Sequence, residues 1–452
     1  MREFDVVVIG GGAAGEVTAG RLGQNGASVA VVEQALVGGD CTFYACMPSK
    51  ALLRPVELSN EARRVPGLVV AGLDSAAVLK RRDEVIHDLD DSSQLPWLEQ
   101  HGVTLVRGRA RIAGKLQVDV EGQESLTARE AVVVATGSTP RIPDIPGLRE
   151  SKPWTNKQAT TAKTVPGRLA IVGGGVVGAE MAQAWGGLGS AVTLIHHGPR
   201  LIAREEPFAG EQVLGSLREL GVDVRLQTST LRVARSGAFS LELGDGTTVE
   251  ADELLVAVGR TAGTEGIGLE AIGIGIEPGK PLAVGDDLRV PGHDWLYAVG
   301  DVNGRVELTH MGKYQGRLVA DTILGRKVRL RSDGARSPRV IFTDPQVGAV
   351  GFTLADAQDA GLHVRHVDVD TGGNGGGSFV GHGAPGTSRI VVDEDRRVIV
   401  GVTMTGPEIA EALHAATIAV VAEVSLDDLW HAVPSFPTRS ELWLRLLEAY
   451  GL

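Results

Sequence analysis

Two stretches of the chain share one order of apolar and polar positions. Val6–Ile9 is apolar at every position, the pattern of a strand buried on both faces of a sheet. Gly10-Gly-Gly-Ala-Ala-Gly15 follows as a turn, Val17–Leu22 opens a helix, and Ser28–Val32 predicts a second strand that ends at Glu33. The order recurs with strand Leu169–Val172, turn Gly173-Gly-Gly-Val-Val-Gly178, helix Ala179–Leu188 and strand Ala191–Ile195. A duplicated strand–turn–helix–strand unit predicts an α/β protein with two Rossmann-like dinucleotide folds. Pro140, Pro143, Pro146, Pro153 and Pro166 mark an expected interdomain connection. Two more apolar strands run into glycine, Leu254–Val258 before Gly259-Arg260 and Leu296–Val299 before Gly300-Asp301. Beyond Pro338 the pattern becomes antiparallel, with strands Val340–Phe342, Val347–Val350, Arg389–Val392 and Val398–Val402 and helices Ile409–Val421 and Ser440–Ala449. The stretch Gly372–Gly386 holds eight glycines and is expected to be a mobile loop.

Bulk numbers narrow the function classes. A length of 452 residues predicts about three domains. The net charge of −12 argues against nucleic acid or an anionic membrane as partner. No segment approaches the ~20 consecutive apolar residues of a bilayer span. Met1-Arg-Glu-Phe-Asp5 runs straight into the first strand, leaving no room for a signal peptide, so a cytoplasmic protein is expected. Two cysteines in the whole chain are too few for a structural disulfide framework.

The glycines have a chemical use. In Gly10/Gly12/Gly15 the first allows the tight turn, the second lets main chain approach a pyrophosphate, and the third lets helix and strand pack closely. The helix N-terminus then offers N–H groups to the phosphates. Glu33 ends the second strand, where a carboxylate accepts hydrogen bonds from an adenosine ribose. The bland alternative is a glycine turn beside a surface glutamate. The second turn, Gly173/Gly175/Gly178, has His196 where that carboxylate would stand. Nothing there repels a 2′-phosphate, and His196, His197, Arg200 and Arg204 can supply positive charge or donors, so NADPH is expected in preference to NADH. Solvated side chains beside a site that accepts either nucleotide are the alternative.

Gly38-Gly39-Asp-Cys41-Thr-Phe-Tyr-Ala-Cys46-Met-Pro-Ser-Lys50 follows the first unit directly. A single helical turn opening there brings the two sulfurs within disulfide range. Zinc would need four N/S ligands, and with no second cysteine pair no metal site is expected. Two inert buried cysteines are the remaining alternative.

This segment resembles the redox-active segment of the pyridine nucleotide-disulfide oxidoreductases, the group that contains dihydrolipoamide dehydrogenase, glutathione reductase and mercuric reductase. The resemblance runs the length of the chain. Ala135-Thr136-Gly137-Ser-Thr-Pro140 is similar to the second turn of the family's FAD domain, and Gly259-Arg260 to the end of its NAD(P) domain. Tyr297-Ala-Val-Gly300-Asp301 is similar to the strand whose aspartate binds the flavin ribityl chain, and Leu308-Thr309-His310 to the segment beside the flavin ring. Phe342-Thr-Asp-Pro-Gln-Val-Gly348 resembles the opening of the dimerisation domain. The resemblance implies an FAD domain over 1–150, an NAD(P) domain over 151–282, a return to the FAD domain over 283–335, and an α+β dimerisation domain over 336–452. It implies FAD and NADPH (or NADH) as cofactors, a homodimer, and a small-molecule electron acceptor. Cys46 would be the thiolate touching the flavin, Cys41 the interchange thiol, and Lys50 with Glu180 the ion pair near flavin N5.

The chain also departs from the family. Where its disulfide reductases carry His-Pro-Thr-x-x-Glu, this chain reads Phe436-Pro-Thr-Arg-Ser-Glu441. Phenylalanine carries no proton, and general acid–base help is typically worth ~10²–10⁴-fold. His431 is a weak substitute, and His414 is expected to be a helix-packing residue. Mercuric reductase-like proteins also lack this histidine, and Ala203-Arg-Glu-Glu-Pro207 resembles their nucleotide domain. Those enzymes use a further C-terminal cysteine pair, which Tyr450-Gly-Leu452 does not supply. The first expectation is therefore a flavin disulfide reductase acting on a disulfide or soft metal. An NAD(P)H:quinone or diaphorase-type reductase and a non-enzymatic redox sensor stand as alternatives.

Overall fold

Apolar runs become central parallel strands in the computed structural model, which describes residues 2–384 and 386–452. Backbone packing divides the chain into two compact units, one of residues 1–48, 83–141 and 259–334, the other of 49–82, 142–258 and 335–452.

The first unit is built on one large sheet, with a two-stranded pair of Ser138–Pro140 and Arg260–Ala262 besides. Its strands run in the order Val103–Arg107, Val29–Glu33, Arg2–Ile9, Leu126–Val134, Gln117–Val120, Ala110–Gly114, and Leu296–Ala298 also pairs with Leu126–Val134. Val6 faces Val29 on one side and Ala131 on the other in parallel register. Val6, Val7 and Val8 are each 0% exposed, which explains why this strand shows no alternation. Helix Ala13–Gln24 packs against helix Thr309–Ile323 at small residues, and a Cβ on Gly316 would lie 2.7 Å from Ala14 O.

Among the described residues the second unit has three sheets. Four parallel strands run in the order Asp223–Arg225, Ala191–Ile195, Arg168–Val172, Glu253–Val256. A three-stranded meander follows, Thr230–Ser236, Ala238–Leu243, Thr248–Ala251. The five-stranded sheet runs Arg339–Ile341, Gln346–Gly351, Val398–Gly406, Thr387–Asp393, Val364–Asp370. Helices Ile409–Ala422 and Glu441–Tyr450 pack on this last sheet through Leu413, Ala416, Leu442 and Leu446. Arg82, fully buried, donates to the carbonyls of Thr160 and Ala162.

Two expectations change. The segment 372–384 is folded: Asn374 is buried, Gly377–Phe379 forms a 3₁₀ turn, and Cβ atoms on Gly375 and Gly376 would meet Phe436, Glu441 and Thr438. Glycine is used here for close main-chain approach; Pro385 lies outside the described residues. His414 does not pack within its helix's core but lies on the exposed face.

Candidate active site

The first glycine turn closes for steric reasons. Gly10 has φ +106°, and a Cβ there would lie 2.4 Å from Ala135 O; one on Gly15 would lie 2.0 Å from Gly10 O. No other residue fits either position. Gly12 has only the Gly39 Cα near the place of its missing Cβ, at 3.9 Å, which leaves the main chain open on that side. Glu33 turns its carboxylate back onto the turn, accepting from Gly11 N at 2.7 Å and Ala35 N at 2.6 Å.

In the same unit Cys41 lies in the short helix Gly39–Phe43, and Cys46 is the first residue of the helix Cys46–Arg64. Both are thiols, half-buried. Cys46 Sγ stands 3.3 Å from Thr309 Oγ1, the first residue of its helix. Cys41 is pushed well above the ordinary thiol range, first by the hydrogen bond it shares with Cys46, then by burial; Thr309 and Lys313 pull the other way. Two thiolates this close repel, so the pair holds one proton strongly.

A polar network surrounds the turn before Cys41. Arg260 donates from Nη2 to Asp40 at 2.9 Å and to the Ser138 carbonyl at 2.7 Å, and from Nε to Ser138 Oγ at 2.6 Å. Ser138 donates to Asp301 at 2.5 Å. Thr136 donates to Gly263 O at 2.6 Å, Gly137 O accepts from Gly263 N at 2.8 Å, and Gly300 N donates to Gln315 at 2.8 Å. Leu308 caps the helix that Thr309 and His310 open, and His310 is exposed. Gly259, Arg260, Asp301 and Thr309 thus lie in one unit with the cysteines. Asp40 and Ser138 lie within the cysteine segment and the Ala135–Pro140 turn, where no sequence signal marks their roles, and none marks Lys313.

The second unit holds the other turn. Gly178 repeats the close approach, with a Cβ position 1.8 Å from Gly173 O, and Gly175 is open on its Cβ side. His196 Nδ1 accepts from Gly174 N at 3.1 Å, the counterpart of the Glu33–Gly11 bond. A ring nitrogen that accepts is unprotonated, and burial followed by the neighbouring His197 lowers the His196 pKa. His196 is therefore a neutral acceptor. The expected positive charge falls to the guanidinium groups of Arg204 and Arg200, the latter donating to Ala203 O at 3.1 Å.

Lys50, on helix Cys46–Arg64, pairs with Glu180 at 2.7 Å, and Glu180 also accepts from Phe342 N at 3.0 Å. Glu205 and Glu206, of the Ala203–Pro207 segment, are buried and paired with Arg339 and Arg389. Phe436 is 79% exposed, while Glu441 is buried and its Oε2 has no hydrogen-bond partner among the described residues. His431 is exposed. Among the described residues no group of three or more His, Cys, Asp or Glu could hold a metal ion, and no helix is long and apolar enough to cross a membrane.

Over residues 4–316 the chain matches the pyridine nucleotide-disulphide oxidoreductase family, and over 337–446 that family's dimerisation domain. It is 30% identical to a mercuric reductase of Staphylococcus aureus, the match covering 97% of this chain and 81% of the relative. It is 31% identical to a dihydrolipoyl dehydrogenase of Haloferax volcanii, over 98% of this chain and 95% of the relative. In fold it is similar to LpdA from Mycobacterium tuberculosis, with a TM-score of 0.89, 24% identity and 100% of both chains covered. It is also similar to the HOCl-induced flavoprotein disulfide reductase RclA from Escherichia coli in its Cu(II) complex, with a TM-score of 0.87, 23% identity and 99% of both chains covered.

Proposed function

We propose, since the chain belongs to the pyridine nucleotide-disulphide oxidoreductases, that it uses NADPH to load two electrons onto Cys41 and Cys46 and delivers them to a disulfide or a soft metal ion. The family's cofactors are FAD and NAD(P)H. The residues present fit both: each glycine turn packs tightly at its first and third glycines and stays open at Gly12 and Gly175, where a phosphate needs main chain. Gly10, Gly12, Gly15, Glu33, Gly39, Thr136, Gly137, Gly300 and Asp301 would hold FAD, and Gly173, Gly175, Gly178, His197 and Arg200 the nicotinamide nucleotide. When bound, FAD supplies hydride acceptance from the nicotinamide and two-electron transfer to a disulfide.

The observation that carries this reading is the hydrogen-bonded Cys41–Cys46 pair with Thr309 beside it, in the unit that holds the first glycine turn. Two electrons cleave the Cys41–Cys46 bond, and one proton stays on Cys41. Cys41, once it gives that proton up, attacks one sulfur of the acceptor disulfide and expels the other as a thiol. Cys46 then attacks Cys41, releasing the second thiol and restoring the internal bond. One NADPH and one proton thus turn one disulfide into two thiols. A soft metal ion is the alternative acceptor because thiolates favour soft ions. Lys50 and Glu180 serve as a held charge pair favouring reduced flavin. The reading includes the four-segment division at 150, 282 and 335, a homodimer formed through the dimerisation domain, and a cytoplasmic location.

Phe436 supports a second reading, in which a quinone or similar acceptor takes electrons from the flavin directly. An anaerobic NADPH titration followed by absorbance tests the first: a long-wavelength thiolate-to-flavin band is expected after two electrons. Undiminished quinone turnover in Cys46→Ser, with no such band in the parent, would move the conclusion to the second.

A further inference from the structure

The Lys50–Glu180 pair is gripped by one further residue. Phe342 follows the strand Arg339–Ile341, and its backbone N–H donates to Glu180 Oε1 at 3.0 Å while Glu180 Oε2 accepts from Lys50 Nζ at 2.7 Å. The Lys50 ammonium lies 4.7 Å from the centroid of the Phe342 ring. One residue therefore holds the carboxylate by main chain and the ammonium by its ring face. The two charges need this unequally. The Glu180 side chain is 4% exposed and fixed by burial, whereas 34% of the Lys50 side chain meets solvent on a stem with many rotamers.

Phe342 is itself well anchored. Two residues on, Asp344 N donates to Gln183 Oε1 at 2.6 Å, one turn beyond Glu180 on helix Val176–Gly187. The Asp344 carboxylate accepts from Asn60 at 3.0 Å and Arg64 at 2.6 Å, both on the helix that carries Lys50. The segment 342–344 is thus bonded to both helices that supply the pair, which fixes the backbone from which the ring projects towards the ammonium.

We propose that Phe342 is a positioning residue for the Lys50 ammonium, fixing where that charge sits and hence how strongly the pair favours reduced flavin. The inference rests on the reading above, in which Lys50 and Glu180 serve the flavin.

The test is the two-electron midpoint potential of FAD in the holoprotein, measured against a reference dye in a Cys41→Ser, Cys46→Ser background, where no disulfide competes for electrons. Phe342 is replaced by Leu, by Tyr, and by phenylalanines of increasing ring fluorination, which drain the ring face at nearly constant shape; Lys50→Met is the reference. The expected result is a threefold to tenfold loss of preference for reduced flavin in Phe342→Leu, about 15 to 30 mV for a two-electron couple. The fall should grow with fluorination, and Phe342→Tyr should keep the parent value. If the Leu variant fails to fold, the fluorinated series decides alone. A potential that moves in Lys50→Met but not across the fluorinated series overturns the inference and leaves the pair's role standing. A potential unmoved by Lys50→Met overturns that role, and the inference with it.

Discussion

Thr309 Oγ1 lies 3.3 Å from Cys46 Sγ, and Thr309 is the first residue of the helix Thr309–Ile323. A sulfur at that point meets a hydroxyl donor and the positive end of a helix together, both of which favour the thiolate. A hydrogen bond to a charged acceptor contributes about 1.5 kcal/mol or more, equivalent to about one pH unit. Thr309→Val should therefore raise the midpoint of the thiolate-to-flavin band by about one unit in the two-electron-reduced protein. An unchanged midpoint would mean that the hydroxyl does not support the thiolate.

Cys41 gives the complementary case. Its pKa is raised by the hydrogen bond to Cys46 and by burial, and no histidine holds position 436. The attacking thiolate is the deprotonated form, so disulfide reduction should climb steadily as pH rises above neutral. Phe436→His should change this. Glu441 Oε2, buried and without a partner, is placed to accept from an imidazole, and a Cβ on Gly375 would lie 2.6 Å from that oxygen and 2.9 Å from the Phe436 ring. The variant should gain ~10²–10⁴-fold in disulfide reduction near neutral pH, the usual range for general acid–base help. Stopped-flow rates with a small cyclic disulfide from pH 6 to 10 check both statements; a flat profile in the parent would show that loss of the Cys41 proton does not limit the step.

The parts of the fold legible in the sequence are those where burial leaves one solution. Both glycine turns follow strands whose last four positions are all apolar, and Gly15 and Gly178 admit no Cβ, so motif and sterics coincide. The edge strand Val364–Asp370 went unseen because Arg365, His366, Asp368 and Asp370 mimic a loop, whereas the meander strand Ala238–Leu243 does alternate, with Ser240 and Glu242 between buried Phe239, Leu241 and Leu243, so its signal was present in the sequence. The glycines after Thr371 look like slack chain in sequence, yet Gly376 lets main chain press against Thr438 and Gly375 leaves room for Glu441 and Phe436. Of the candidate residues, Lys50 and Glu180 came only from the family resemblance, while Cys41 and Cys46 stood out as chemistry-bearing types at close spacing. Phe342 did not, since a phenylalanine at a strand end signals packing until a lysine is found over its ring.

His196 fixes the expected nucleotide preference. As a neutral acceptor for Gly174 N it leaves no negative charge where Glu33 places one in the first turn. His196→Glu should restore that charge, repel a 2′-phosphate and offer acceptors to a 2′-hydroxyl. The ratio of kcat/KM for NADPH over NADH should fall at least tenfold, chiefly through KM. Retention of the parent ratio would place selection on groups other than this strand end.

Glu16 and Lys313 tie stability to the sulfur chemistry in the first unit. Burial raises the Glu16 carboxyl from 4.5 to about 7, Glu33 adds to the rise, and Lys313 opposes it. A carboxyl whose pKa is higher when folded binds its proton more tightly there, so its stabilising contribution is complete below about pH 4.5 and is lost as pH rises through about 7. Glu16→Gln keeps the shape without the titration. The variant should match the parent's melting temperature near pH 4 and exceed it at pH 8; parallel curves would mean the carboxyl does not titrate in this range. Lys313 also lowers the Cys41 pKa, so Lys313→Met should act on both groups. It should lower the melting temperature further at pH 8 and push Cys41 alkylation to higher pH. A shift in one without the other would show that Lys313 reaches only one of the two groups.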